Sequence, residues 1–319
     1  MTDTDFDEFS FLGGQAADAG IAGPLPRTER LNLSLPDGRT LSALRYTPQD
    51  SAPGALPVVT FLHGAGLNAH TWDTTILALG LPALAIDLAG HGDSSWRDDY
   101  AYVARVLAPD VVAAMQEWTD APQLLVGQSL GGLTAAAVAA ARPDLVRELV
   151  VIDITPGVDP SAGPTQIRDF FAGPTDWASR DELVDRALAF GLGGSRAAAE
   201  RGVYLNSRVR PDGRVEWKHH FAHLAAAMAA AAATAPEGAA PADAVSAVLG
   251  ESGWDDLAGA TAPTTLIRGD RGYVTEADAE EFARRMPAAS VELMSSGHNV
   301  QEEQPVQLGR RLREALANA

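Results

Sequence analysis

The chain contains no cysteine. That absence removes disulfides, thiolate nucleophiles and cysteine-ligated zinc together, and it leaves the compartment open. Aromatic residues are sparse, at 6% of the chain, so an interior has to be assembled mostly from Ala, Val and Leu. Basic residues are also short. Lys and Arg number 24 against 42 Asp and Glu, giving a formal net charge of -18. A surface of that sign repels phosphate backbones and anionic bilayers, so neither nucleic acid nor a membrane is expected as a partner. Solubility is the plain reading of the charge. No apolar run is long enough to span a bilayer. Residues 1–10 carry four acidic side chains and no basic one, unlike the positive start of a secretory signal. The cytoplasm is therefore the expected location.

What is present is ordinary globular chemistry: 319 residues, 46% of them hydrophobic and 21% charged. That length suits one domain carrying a sizeable insertion. Residues 1–26 are rich in Asp, Gly, Ala and Pro without a period, and read as a flexible arm. Two strand-like runs, 30–35 and 40–46, flank Pro36-Asp37-Gly38, a hairpin signal.

After the hairpin the pattern changes. Six short, almost wholly apolar runs follow, at 57–62, 83–86, 124–126, 149–152, 264–267 and 291–294. Such runs suit strands buried on both faces. Helical stretches lie between them at 68–79, 100–119, 130–142, 276–286 and 306–316, with Pro143 and Pro287 closing two of them. Strand alternating with helix predicts an α/β fold with a mostly parallel, doubly wound sheet. Ligands of such sheets bind beyond the carboxyl ends of the strands. Residues 155–256 break the alternation with Pro/Gly-rich loops, helical pieces and an Ala-rich tract. They read as a mainly helical cap inserted into a core of 27–154 and 257–319.

The strand ends carry the chemistry. Gly127-Gln128-Ser129-Leu130-Gly131 is a G-x-S-x-G pattern, weak alone but placed here between a buried strand and a helix. A serine on that turn is exposed and strained, with a helix N-terminus beneath it. Gly127 and Gly131 let strand and helix cross closely. A serine nucleophile needs a base. Of seven histidines, His298 follows a strand run and precedes the last helix. A lone loop histidine is ordinarily a surface residue, but its place in the strand order outweighs that reading. The base needs an acid to hold its tautomer. Asp270 ends the strand before the histidine strand and is preferred. Asp153 also ends a strand and could reach the same place, but is expected to hold the base of the insertion. Backbone amides of Ala65, in His63-Gly64-Ala65-Gly66, and of Leu130 are the expected oxyanion donors. His63 itself is expected to be a structural hydrogen-bonder. His219, His220 and His223 tempt a metal assignment, but three histidines on a cap more often form a solvated or lining face, so neither metal nor cofactor is expected.

These motifs, with Asp87-Leu88-Ala89-Gly90-His91-Gly92-Asp93-Ser94, resemble the α/β-hydrolase superfamily over roughly residues 30–318. The order Ser, Asp, His is that family's order. The resemblance implies a serine hydrolase that cleaves a small carboxylic ester or related acyl bond through an acyl-enzyme. The nearest look is to capped esterases, carbon–carbon hydrolases and cofactor-free haloperoxidases. Ser129 stands where epoxide hydrolases and haloalkane dehalogenases carry aspartate, which argues against both. Same-triad carbon–carbon, lyase or perhydrolase chemistry, and a slow-turnover ligand receptor, are the alternatives. Trp177, Phe170, Phe171, Trp217, Phe221 and Met228 in the insertion are expected, as a group, to help line a site for a small-molecule substrate, while any single one of them more often belongs to the cap's own small core.

Overall fold

The computed structural model describes residues 7–158, 173–190, 195–233 and 253–317. At its centre is an eight-stranded sheet. Its strands are β1 (Arg27–Ser34), β2 (Thr40–Thr47), β3 (Val59–Leu62), β4 (Ala83–Asp87), β5 (Gln123–Gln128), β6 (Val146–Ile152), β9 (Thr264–Gly269) and β10 (Ser290–Met294). The spatial order is β1-β2-β4-β3-β5-β6-β9-β10. The β1–β2 hairpin and the β2–β4 pairing are antiparallel. All the other neighbours run parallel. β3, β4 and β5 are buried throughout, which explains why their sequences are mostly apolar instead of alternating apolar with polar.

Helices cover both faces. α2 (Asp73–Leu79), α3 (Ala104–Trp118), α4 (Leu130–Ala141), α9 (Glu276–Arg285) and α11 (Pro305–Ala317) match the helical stretches of the sequence. The first starts late because Asn68 caps a 3-10 turn, Ala69–Trp72, before α2 begins. α4 is buried along nearly its whole length. Its Ala-rich sequence lets it sit close to the sheet, between α3 and the helix α8 (Gly253–Gly259). Strand order reverses around β3, whose neighbours are β4 and β5. The carboxyl ends of β3 and β5 therefore flank the point where such sheets bind ligands.

One expectation needs correction. Residues 7–18 are not a free arm. A 3-10 turn, Glu8–Phe11, leads into α1 (Leu12–Asp18), which packs on α2 with Leu12 and Ala16 buried. Glu8 fastens it by charge, paired with Arg30 and with His70 Nε2 at 3.1 Å. The insertion adds strands to its helices. Between α5 (Arg180–Ala189), α6 (Arg196–Asn206) and α7 (Phe221–Ala233) it holds a hairpin of β7 (Ser207–Val209) and β8 (Val215–Trp217).

Candidate active site

β5 ends in a turn that only a few residues tolerate. Ser129 has φ 54° and ψ -121°, outside the ordinary regions for an L-residue. Such a conformation costs on the order of 1–3 kcal/mol and persists only when its surroundings over-determine it. Here the Ser129 amide donates to the Ile152 carbonyl at 3.0 Å. Its own carbonyl accepts from the amides of Gly132 at 2.8 Å and Leu133 at 3.1 Å. The flanking glycines are obligatory. A Cβ on Gly127 would lie 2.2 Å from the Gly131 carbonyl oxygen, and one on Gly131 would lie 2.3 Å from that of Leu62. The tight crossing puts Ser129 over the N-terminus of α4, where the helix dipole favours developing negative charge.

The loop after β3 runs alongside. A Cβ on Gly64 would come within 3.2 Å of Ser129 Cβ. His63 holds that loop in place. Its Nδ1–H donates to the Gly64 carbonyl at 2.8 Å, and its Nε2 accepts the Leu88 amide at 3.0 Å. It is thus a neutral imidazole, and burial pushes its pKa down to about 4. Among the described residues the Ala65 and Leu130 amides make no turn or side-chain hydrogen bond, as oxyanion donors require.

His298 meets its carboxylate from an unexpected side. Its Nδ1–H donates to Asp153 Oδ2 at 2.7 Å. Asp153 is fully buried and has φ 49°, so this second strained residue turns its side chain across toward β9. There its Oδ1 accepts the Gly269 amide at 3.0 Å and its Oδ2 the Tyr273 amide at 2.6 Å. Three donors fix the carboxylate. Gly272 makes room, because a Cβ there would stand 2.2 Å from Asp153 Oδ1. With Nδ1 committed as a donor, the imidazole presents a basic Nε2.

The expectation for Asp270 is thereby corrected. Asp270 accepts from Ser295 Oγ and from the Ser296 amide, both at 3.0 Å, and pairs with Arg271. It shapes the turn leading to His298 and does not touch the imidazole. Ser129 and His298 are joined through a neighbour, as Gln128 Nε2 donates to the His298 carbonyl at 3.2 Å and to Asn299 Oδ1 at 3.3 Å. The Ser129 hydroxyl and His298 Nε2 make no hydrogen bond to each other. Catalytic contacts are often long before substrate is bound. Tyr273, Gly272 and Gln128 escaped the sequence reading, since no spacing or residue type sets them apart.

Five of the remaining histidines lie near one another: ring centroids are 4.9 Å apart for His63 and His91 and 5.5 Å for His220 and His223, and His91 and His219 both pack on Phe221. His220 is stacked between Trp96 (4.2 Å between ring centroids) and Tyr100 (4.6 Å), and Tyr102 Oη lies 2.7 Å from its Nδ1. His219 stacks on Trp217. Among the described residues no three His, Asp or Glu side chains converge as a metal site would. The insertion touches the loops after β3 and β4. Asn206 Nδ2 donates to the Gly66 carbonyl at 2.8 Å, Asn68 Nδ2 to the Leu205 carbonyl at 2.9 Å, and the His220 amide to the Gly90 carbonyl at 2.8 Å. Trp177, Trp217 and Phe221 are buried; Trp177 packs on Trp217 within the insertion, whereas Phe221 lies against His91 and Tyr102 of the core. Met228 is partly buried against the same cluster. Phe170 and Phe171 fall outside the described residues. No described helix is long and apolar enough to cross a membrane.

Comparison with known proteins matches this geometry to a family. Residues 61–310 fit the model of the Alpha/beta hydrolase family. The chain is similar to the esterase Rv0045c of Mycobacterium tuberculosis, 36% identical over 311 residues, covering 95% of this chain and 93% of that protein. It is also similar to the sn-1-specific diacylglycerol lipase ABHD11 of Mus musculus, 27% identical over 265 residues, covering 78% of each. A solved structure of the M. tuberculosis esterase Rv0045c has a TM-score of 0.80 at 36% identity, covering 98% of this chain and 99% of that one. A thioesterase domain from the curacin biosynthetic pathway shares the fold, with a TM-score of 0.68 at 22% identity, covering 90% of this chain and 99% of that one.

Proposed function

The chain belongs to the alpha/beta hydrolase family and is an esterase-type hydrolase; from that premise we propose that it cleaves small carboxylic esters through an acyl-enzyme on Ser129, with His298 as base and Asp153 as the acid that orients it. The Ser129 Oγ–H proton passes to His298 Nε2 as Oγ bonds to the carbonyl carbon. The carbonyl electron pair moves onto oxygen, which the Ala65 and Leu130 amides stabilise. Collapse of this intermediate expels the alcohol, protonated by His298. Water, deprotonated by the same imidazole, then hydrolyses the acyl-enzyme and returns Ser129 to its starting form. Asp153 keeps its negative charge throughout and favours the imidazolium that forms at each step. The reaction needs no cofactor.

The observation that carries this reading is the 2.7 Å bond from His298 Nδ1 to Asp153, on a loop tied by Gln128 to the strained turn of Ser129. The insertion acts as a cap over the site and sets which acyl group fits. Its hydrogen bonds to the Gly66, Asn68 and Gly90 loops support that role. Turnover of p-nitrophenyl esters from acetate to decanoate tests the proposal. Ser129→Ala is expected to lose at least about 10⁴-fold in kcat with an unchanged circular dichroism spectrum. Retention of activity within tenfold of the wild type sinks it.

A further inference from the structure

Tyr273 touches both members of the acid–base pair. Its backbone N–H donates to Asp153 Oδ2 at 2.6 Å, on the oxygen that also holds His298 Nδ1. Its ring lies over the His298 imidazole, 3.6 Å between centroids and 11° between planes. At that distance the two rings overlap almost fully, at van der Waals separation. Full face-to-face overlap is not the arrangement two neutral rings favour, because their negative faces oppose each other. It is a favourable arrangement once the imidazole carries a proton, because a cation is drawn to the negative face of a tyrosine. The contact is therefore worth more after proton transfer than before it, which is the property of an interaction that accelerates a reaction.

We infer that Tyr273 is the positioning residue of the base: its backbone fixes the Asp153 carboxylate, and its ring fixes the imidazole plane and favours the charged His298 that follows deprotonation of Ser129. This rests on the reading of Ser129, His298 and Asp153 as a catalytic unit. The local chain is built for the contact. Gly272, which cannot carry a Cβ beside Asp153, lets the backbone come close enough for the next residue to reach both partners. Burial and then the Asp153 charge push the Tyr273 phenol up to about 12, so the ring stays neutral. The contact to His298 uses the ring face, so the hydroxyl is dispensable for it.

Phosphonylation by a fluorophosphonate probe separates positioning from folding. Attack by Ser129 forms an Oγ–P bond and expels fluoride, with the serine proton taken by His298, so the labelling rate reads the base. The final extent of labelling reads the fraction of correctly folded chains. In the full-length protein, Tyr273→Leu is expected to reach the wild-type extent at a rate roughly 3- to 30-fold lower. For a p-nitrophenyl ester, kcat should fall by a similar factor with KM within about twofold. Tyr273→Phe, which keeps the ring face, should recover the rate to within about threefold of the wild type. Labelling of Tyr273→Leu at the wild-type rate overturns the inference. So does a reduced extent at a normal rate, which marks a folding role only, and so does Tyr273→Phe being as slow as Tyr273→Leu. A wild-type chain labelled elsewhere than Ser129, or a Ser129→Ala variant labelled equally, overturns the triad reading itself and this inference with it.

Discussion

Two histidine–carboxylate pairs in this molecule use the same atoms and do different things. His298 Nδ1 meets Asp153 at 2.7 Å, and His70 Nδ1 meets Asp73 at 3.0 Å. The difference lies in the second nitrogen. His70 Nε2 is taken by Glu8 at 3.1 Å, so both nitrogens donate and the ring is held as an imidazolium. Burial alone would lower its pKa, but Asp73 and then Glu8 outweigh that and raise it to about 9. A histidine in that state has no lone pair to offer. His298 has one carboxylate only, and among the described residues its Nε2 makes no hydrogen bond. The partners also differ in origin. Asp73 is three residues from His70 at the start of α2, whereas Asp153 reaches His298 from 145 residues away. The local pair, with Glu8, pins residues 7–18 to the body. The distant pair, held by strained backbone, leaves the second nitrogen free for the role of base proposed above. An acid beside a histidine therefore marks an active site only when the other nitrogen is left unspent.

Exchanging the two carboxylates for amides should separate these roles. Asp153→Asn is expected to cut kcat by about 10³–10⁴-fold, because an asparagine oxygen and nitrogen no longer hold the imidazole in the tautomer with a free basic Nε2. Asp73→Asn removes the buried charge and turns one of the two oxygens that accept from Tyr46 and His70 into a donor, and should cost about 2–4 kcal/mol of stability. Its kcat per folded molecule should stay within about twofold. Titration of folded protein against urea, with active-site counting on the same samples, distinguishes the two. Loss of turnover without loss of stability in Asp73→Asn would erase the contrast.

The sequence carries one side of this comparison far better than the other. Runs apolar almost throughout mark the core strands, and Ser129 and His298 stand out by the strand that each one follows. The carboxylate that meets His298 did not follow. Asp153 and Asp270 both end strands of the same parallel sheet, next to each other in strand order, and residue type cannot tell them apart. What decides is the φ of 49° at Asp153, which swings its carboxylate across β9, and no sequence pattern announces a left-handed aspartate. The docked N-terminal segment was illegible for a similar reason. Its composition is that of a flexible arm, and the buried Glu8–Arg30–His70 contacts that fix it join residues far apart in the chain. The aromatics of the insertion were visible as a group, but whether rings pack on each other or on a substrate depends on their packing in three dimensions.

Acidity should sharpen the comparison, because this chain holds histidines displaced in opposite directions. Burial pushes His63 and His220 down to about 4 and His91 down to about 3. The unfolded chain binds these protons near 6.5 and the folded chain only below those values, so stability falls as pH drops from 6.5 toward 4. His70 runs the other way. The folded chain keeps its proton to about 9 while the unfolded chain releases it near 6.5, so its contribution is complete below 6.5 and is lost as pH climbs through 9. That contribution is at most roughly 3 kcal/mol. Melting temperature measured from pH 4 to 10 should peak near neutrality. His70→Gln should flatten the alkaline side and leave the acid side in place. An alkaline slope that survives in His70→Gln would assign it to another group.

The smallest expected effect concerns the carboxylate that looked, in the sequence, like the acid. Asp270 is partly exposed, accepts from Ser295 Oγ and the Ser296 amide, and pairs with Arg271 at the surface. An asparagine keeps an oxygen for the Ser296 amide and loses the charge. The pairing lost with Arg271 is worth little in water, ~0–1 kcal/mol. The other oxygen, which Ser295 Oγ meets, becomes an NH2 group, and the serine hydroxyl can turn to accept from it. Asp270→Asn should therefore lower the melting temperature by about 2–4 °C at most. The turn it supports lies two residues before His298, so a small shift of the imidazole is the only route by which turnover can suffer. With Asp153 and Tyr273 still holding that ring, kcat should stay within about fivefold of the wild type, some hundredfold or more above Asp153→Asn. Both variants assayed side by side on one p-nitrophenyl ester decide the matter. If Asp270→Asn falls as far as Asp153→Asn, the turn and not the tautomer is what the carboxylates protect. If it falls further, the acid belongs on β9 after all.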